Sequence, residues 1–278
     1  MIIVGVDGSV TARAAVEWAA NDAFRMRLPL RIVHAVDRTP YQISKYPERP
    51  DALLLEGARV LREAVALVHE RRPTVEVTTR QVEGTPATVL QEQAEEAAEI
   101  VVGSRGLGGF AGMLLGSVSI HVAGHARCPV VVVPGGRRPV YGEVVVGVDD
   151  SPECEPALAY AFEQAALRGA TLRAVHAWQL MVPAFAMDAP YDVEELRATQ
   201  HEVVGAKLAA ARARYPQVTV VENDASATPV DALVEASGQA DLLVVGSHGR
   251  GALGSVLLGS VSRGVLHHAH CPVAVVRA

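Results

Sequence analysis

Two hydrophobic rhythms alternate along the chain. Short, near-continuous apolar runs, such as Ile100–Val102, Val130–Val133, Leu242–Val245 and Val273–Val276, have the length and composition of strands buried on both faces. Between such runs lie stretches with apolar positions three and four apart, which predict helices. They cover Ala12–Arg27, Ala52–Arg71, Pro86–Ala98, Glu153–Arg168, Val193–Arg214 and Pro229–Ser237. Ser9 and Ser151 precede the first helix of each series and suit N-cap positions. Each half therefore reads β-α-β-α-β-α-β-α-β, the pattern of an α/β, doubly wound parallel sheet with helices on both faces.

The second half repeats the first. Ile2–Ser9 (IIVGVDGS) matches Val144–Ser151 (VVVGVDDS), and Leu30–Val36 (LRIVHAV) matches Leu172–Trp178 (LRAVHAW). Gly84-Thr85-Pro86 matches Ala227-Thr228-Pro229, and the approach to the last strand recurs as His125–Val130 and His268–Val273. The period is a whole domain, too long for a solenoid. Pro134–Pro139 (PGGRRP) carries the breakers and charge of a boundary. The expected division is a first domain at 1–134, a linker at 135–141 and a second domain at 142–278.

A glycine pattern is doubled as well. Gly103 and Gly106 are followed, after nine residues, by Gly116-Ser117; Gly246 and Gly249 are followed in the same way by Gly259-Ser260. Each copy starts where an apolar run stops. Glycine tolerates positive φ and lets a ligand approach the backbone. A strand that ends in a glycine loop and enters a helix presents unpaired N–H groups and a helix dipole to an anion. Ser117 and Ser260 add hydroxyl donors. The matched spacing favours binding over simple turn-making.

Asp7 and Asp149 close the first strand run of each half. A carboxylate beside phosphates needs a cation or a sugar hydroxyl between them, so each would hold Mg²⁺, directly or through water, or bond a ribose. A turn or cap role is the alternative. Backbone groups near Val36 and Trp178 would pair with a base edge.

Absent motifs narrow the chemistry. Lysine occurs only at Lys45 and Lys207, so no GxxxxGK[ST] loop exists. A strand lysine with an HRD-type loop is absent too. The loop after the first strand is Gly-Val-Asp-Gly-Ser or Gly-Val-Asp-Asp-Ser, not a dinucleotide fingerprint. No nucleophile–base pair or carboxylate pair nominates a catalytic residue.

The repeated Gly-x2-Gly-x9-Gly-Ser, the Asp of VGVDGS and VGVDDS, and the terminal Cys-Pro-Val strands together resemble the universal stress protein family, over essentially the whole chain as a tandem two-domain member. The resemblance implies two Rossmann-like, five-stranded parallel sheets in order 3-2-1-4-5. It also implies the ATP-binding branch of the family, a role in stress or growth-arrest adaptation, and at most slow hydrolysis. Carried over by position, the first site comprises Gly5, Asp7, Val36, Gly103, Ser104, Arg105, Gly106, Leu107, Gly108, Gly109, Gly116, Ser117 and Val118. The second comprises Gly147, Asp149, Trp178, Gly246, Ser247, His248, Gly249, Arg250, Gly251, Ala252, Gly259, Ser260 and Val261. The halves differ at Arg105 against His248, Leu107 against Arg250, Gly109 against Ala252 and Met113 against Val256. Competing readings are an ATP-hydrolysing or adenylating enzyme on a similar sheet, and a nucleotide-free dimerisation module.

Composition adds exclusions. The chain has 278 residues, a net charge of −6 and interspersed charges, which argues against a nucleic-acid surface. No apolar run reaches membrane-spanning length, and MIIVGV lacks the features of a signal peptide, so a cytoplasmic protein is expected. The three cysteines, Cys128, Cys154 and Cys271, read as packing residues. His267, His268 and His270 read as imidazoles at a helix end and not as metal ligands. Met181, Phe185 and Met187, within Gln179–Asp192, suit a lid, an interface or ordinary packing. In the implied strand order Val130–Val133 and Val273–Val276 are sheet edges that need cover. They are expected to pair across an internal pseudo-twofold, with a homodimer beyond that.

Overall fold

The computed structural model describes residues 1–38, 50–108, 115–136, 138–178, 193–249 and 258–278. Its strands form one sheet. The first half supplies β1 (Ile2–Gly5), β2 (Leu30–Val36), β3 (Val77–Glu83), β4 (Glu99–Gly103) and β5 (Val130–Val133). The second supplies β6 (Glu143–Gly147), β7 (Thr171–Ala177), β8 (Val220–Ala225), β9 (Leu242–Gly246) and β10 (Val273–Val276). The order across the described strands is β3-β2-β1-β4-β5-β10-β9-β6-β7-β8. Each half thus runs 3-2-1-4-5, with parallel pairing throughout. The halves join where β5 and β10 pair antiparallel, with Val273 opposite Val132, Ala274 opposite Val131 and Val275 opposite Val130. Both strands are buried along their length. The cover that these apolar strands need is therefore supplied within the chain.

The helices are α1 (Val10–Met26), α2 (Pro50–Arg71), α3 (Pro86–Gln93) and α4 (Ser117–His125), then α5 (Cys154–Arg168), α6 (Val193–Arg214), α7 (Pro229–Ser237) and α8 (Ser260–His268). Strand alternation divides the core into two layers. Ile2, Val4, Leu30 and Ile32 pack on one face with Ala15 and Ala19 of α1, Val68 of α2, Phe162 of α5 and Leu208 of α6. Ile3, Val33, Ile100 and Val102 face the other way, against Leu90 of α3, Val122 of α4, Leu233 of α7 and Val265 of α8. Continuous Val/Ile/Leu runs serve both layers at once, which is why β1, β5, β9 and β10 show no polar face, whereas the outer strands β3 and β8 carry exposed polar residues.

Two local expectations are corrected and one holds. The segment Pro86–Ala98 is not one helix: α3 stops at Gln93, a 3₁₀ turn covers Ala94–Glu96, and Ala97 turns extended to enter β4. Alanine-rich helix ends and strand approaches look alike in sequence. Ser9 does cap α1, its hydroxyl accepting from the Ala12 N–H at 3.1 Å. Ser151 caps nothing, because α5 begins only at Cys154, after Glu153. The Ser151 hydroxyl instead donates to Asp149 Oδ1 at 2.5 Å. Pro152, which follows it, replaces the Val10 that continues α1.

Among the described residues no helix is long and apolar enough to cross a membrane. The stretch Gln179–Asp192, most of the matched loop after β2 (residues 39–49), and Met113 and Val256 lie outside the described residues.

Candidate functional site

The order within each half reverses direction between strands one and four, at β1 and β4 and again at β6 and β9. Such a switch point leaves a crevice at the carboxyl ends of the strands. Matched cavities occupy both crevices, of about 470 Å³ in the first half and about 520 Å³ in the second. Both volumes fall within the range of small-molecule and cofactor sites.

The first cavity is floored by Gly5, Val6 and Asp7, and walled by Val33, Ala35, Pro86 and Leu90. Gly103, Arg105, Gly106, Leu107, Gly108, Gly116, Ser117, Val118 and Ser119 form its other side. The second cavity repeats this arrangement with Gly147, Val148, Asp149, Val175, Ala177, Pro229 and Leu233, opposite Gly246, His248, Gly249, Gly259, Ser260, Val261 and Ser262. Sequence-distant segments thus converge as the repeated glycine pattern implied. Gly109, Arg250, Gly251 and Ala252 lie outside the described residues.

One backbone bond closes each glycine loop. The Gly116 N–H donates to the Ser104 carbonyl at 2.7 Å, and the Gly259 N–H to the Ser247 carbonyl at 2.8 Å. These bonds bring the start of α4 and α8 back to the strand ends across the intervening residues. Ser119 Oγ donates to the Gly103 carbonyl at 2.8 Å, and Ser262 Oγ to the Ser247 carbonyl at 2.9 Å, pinning the first turn of each helix. Gly116 and Gly259 are the N-cap residues and offer no side-chain cap. The first N–H groups of α4 and α8 therefore open on the cavities with the positive end of the helix dipole behind them.

Gly103, Gly106, Gly246 and Gly249 are required for space, not for a left-handed backbone. None of Gly103, Gly106, Gly116, Gly246, Gly249 and Gly259 has a positive φ. A Cβ on Gly106 would stand 2.6 Å from Asp7 Oδ2, and one on Gly249 2.5 Å from Asp149 Oδ2. A Cβ on Gly103 would stand 2.7 Å from the Thr11 carbonyl carbon, because the first turn of α1 lies against the end of β4.

Asp7 organises the first loop. Its Oδ1 accepts the Ser9 N–H at 2.9 Å and its Oδ2 accepts the Leu107 N–H at 2.9 Å, tying the β1 end to the glycine loop. Asp149 Oδ1 accepts both the N–H of Ser151, at 3.1 Å, and its hydroxyl. Each Asp7 oxygen thus keeps a further lone pair, whereas the two bonds from Ser151 use both lone pairs of Asp149 Oδ1.

Several expected site residues face elsewhere. Ser104 and Ser247 are buried, and their N–H groups donate to Val133 and Val276 carbonyls at 2.8 and 2.7 Å. Neither lines the two crevice cavities; both hold the loop closed. Val36 and Trp178 are also displaced from the cavity walls, where Val33 and Ala35, or Val175 and Ala177, stand instead. The Val36 carbonyl accepts from Gly84 at 3.1 Å, and the Trp178 N–H donates to Ala225 at 3.0 Å. Strand alternation turns one residue in two away, and the sequence pattern alone did not register the phase. Sequence reasoning also missed Pro86, Leu90, Pro229 and Leu233, which the helix after the third strand brings across; the matched Thr-Pro pairs were the available signal.

Cys154 occupies in the second cavity the place that Ala12 holds in the first. Burial raises its thiol pKa, and pushes Cys128 up to about 11 and Cys271 up to about 12. None is poised as a thiolate. No cluster of three or more His, Cys, Asp or Glu suited to a metal occurs among the described residues.

The match to known proteins follows the same halves. The model of the universal stress protein family fits residues 1–134 and again 141–277. The chain belongs to the universal stress protein family. This universal stress protein is 38% identical to Universal stress protein Rv2005c of Mycobacterium tuberculosis, over 99% of this chain and 96% of that one. It is 34% identical to Universal stress protein Rv1996 of the same organism, over 99% and 94%. Among solved structures it is similar to a universal stress protein from Archaeoglobus fulgidus, with a TM-score of 0.68, 22% identity and coverage of 99% and 96%. That structural likeness concerns the fold, and it spans both domains of this universal stress protein.

Proposed function

We propose that each half of this universal stress protein binds one ATP at its carboxyl-end cavity and that the protein acts by holding the nucleotide as a regulatory ligand in stress or growth-arrest adaptation. The observation that carries the reading is the pair of uncapped helix starts. Gly116 and Gly259 leave the first turns of α4 and α8 facing matched cavities at the sheet's switch points. Backbone N–H groups at such helix starts suit a phosphate chain. The apolar walls, with Val33 and Leu90 in one half and Val175 and Leu233 in the other, suit a base.

Asp7 and Asp149 are the residues that would hold Mg²⁺. Among the described residues each cavity offers one carboxylate, so phosphate oxygens and water would complete the shell, which is how this ion is commonly held. The bound ion would screen the carboxylate from the phosphates. Arg105 in the first cavity and His248 in the second supply different polar groups at matched positions. Among the described residues no lysine lines either cavity, so the phosphate chain would rest chiefly on backbone donors. That favours retention over phosphoryl transfer, which depends on charged groups placed where charge develops.

The direct test denatures purified protein and identifies released nucleotide by mass spectrometry, followed by titration of emptied protein with ATP and Mg²⁺. Two ATP per chain supports the reading. No binding at saturating ATP and Mg²⁺ rejects it, and rapid turnover rejects the holding role. A homodimer is part of the same proposal, and light scattering that shows only monomer removes that part.

A further inference from the structure

A buried polar cluster lies far from both cavities, where α1 of the first half meets α5 of the second. Asp22 of α1 is fully buried and accepts from Arg168 of α5 through both oxygens, at 2.7 and 2.9 Å. Arg25 adds a third bond to Asp22 at 2.8 Å. The Arg168 guanidinium also donates to Gln164 and lies over the Trp18 ring, 5.0 Å from its centroid. The first residue of β4, Glu99, reaches the same seam. It is fully buried and its Oε2 accepts from Tyr160 of α5 at 2.6 Å.

Asp22 has two guanidinium groups, and Glu99 has one neutral hydroxyl. Its other oxygen, Oε1, is buried with no hydrogen-bond partner among the described residues, as are Trp18 Nε1 and Gln164 Nε2. An ionised carboxylate in that setting would be a buried charge without a direct cation, which is costly. A protonated carboxyl removes the charge and leaves one unpaired oxygen. The matched residue of the second half is Leu242, so the cluster is one-sided about the pseudo-twofold.

We propose that this seam is a proton-linked clasp: the Glu99 carboxyl carries a proton while α1 and α5 are packed together and releases it when they part. Burial first, and the nearby Asp22 carboxylate second, push the Glu99 pKa up to about 8. The groups facing it are Asp22 and Arg25 of α1, and Tyr160, Glu163 and Arg168 of α5. Arg72, at the end of α2, acts on Arg25, and Cys128, ahead of β5, feels the Glu99 charge. The folded group titrates near 8 and the free group near 4.5, so between these values the packed seam holds a proton that the opened seam lacks. Packing therefore weakens as pH rises through that window, by about tenfold in the opening equilibrium per pH unit, and levels off above it.

Trp18 lies in the cluster, and Trp178 is the only other tryptophan. In the full chain carrying Trp178→Phe, Trp18 emission reports the seam directly. Over about pH 6 to about pH 10 the emission should move toward that of exposed indole, with a midpoint near 8. Glu99→Gln should abolish the step. Tyr160→Phe removes the hydroxyl that favours the carboxylate and should move the midpoint upward. A flat profile in the parent, the same step in Glu99→Gln, or an unmoved midpoint in Tyr160→Phe would each overturn the clasp. If Glu99→Gln does not fold, the direction of the Tyr160→Phe shift decides. The measurement uses no nucleotide, so its outcome is independent of the ATP reading.

Discussion

At the residue scale, the glycines of the repeated motif do two different jobs under one spacing. Gly106 and Gly249 make room for an aspartate oxygen, whereas Gly103 makes room for the backbone of α1. Alanine should separate these roles. Gly106→Ala displaces Asp7 from the Leu107 N–H and should weaken ATP at the first site on the order of tenfold or more, since a hydrogen bond to a charged group is at stake. Calorimetric titration should show that loss. Gly103→Ala meets backbone and should cost about 1–3 kcal/mol in urea unfolding. The glycine positions and the aspartates were legible in sequence because a strand-ending loop restricts residue type strongly. The inward phase of β2 and β7 was not, because Val36 and Val33 are chemically equivalent. Glu99 was hidden too: one acid before an apolar run reads as a solvated strand start.

At the element scale, the first helices of the two halves show how matched sequences diverge in detail. α1 starts on a Ser9 cap and ends on Arg27 in a left-handed conformation, φ 54°. α5 starts without a side-chain cap and ends on Gly169, φ 61°. Ser9→Ala should lower stability by about 1 kcal/mol, read by urea unfolding, through the lost bond to the Ala12 N–H. Arg27→Gly should raise it by up to about 1 kcal/mol, because glycine adopts that conformation without the Cβ clash. An unchanged or lower midpoint for Arg27→Gly would show that the Arg27 side chain contributes more than the strain it causes. Helix existence was clear from the 3.6-residue period. Helix ends were not, since Ser151 depends on how Asp149 competes for its hydroxyl.

On the scale of the whole molecule, the antiparallel β5–β10 pair makes one sheet of two repeats, and the α1–α5 seam secures it on one face. The Asp22–Arg168 pair crosses that seam with both side chains nearly or fully buried. Asp22→Ala strands the Arg168 charge and should cost about 3–5 kcal/mol in chemical unfolding. A change below about 1 kcal/mol would mean that water reaches the seam and the pair behaves as a surface one.

The sequence by itself determined the class of fold, the doubling of the domain and the loops that flank each cavity. Apolar periodicity, glycine spacing and turn residues are local, and each half carries them independently. Only the tertiary structure decided which residues face the cavities, why Gly103, Gly106, Gly246 and Gly249 are small, and that Glu99, Asp22, Tyr160 and Arg168 meet at one seam. Those outcomes depend on strand phase and on the packing of α1 against α5. Both arise from contacts between residues far apart along the chain, which no local pattern encodes.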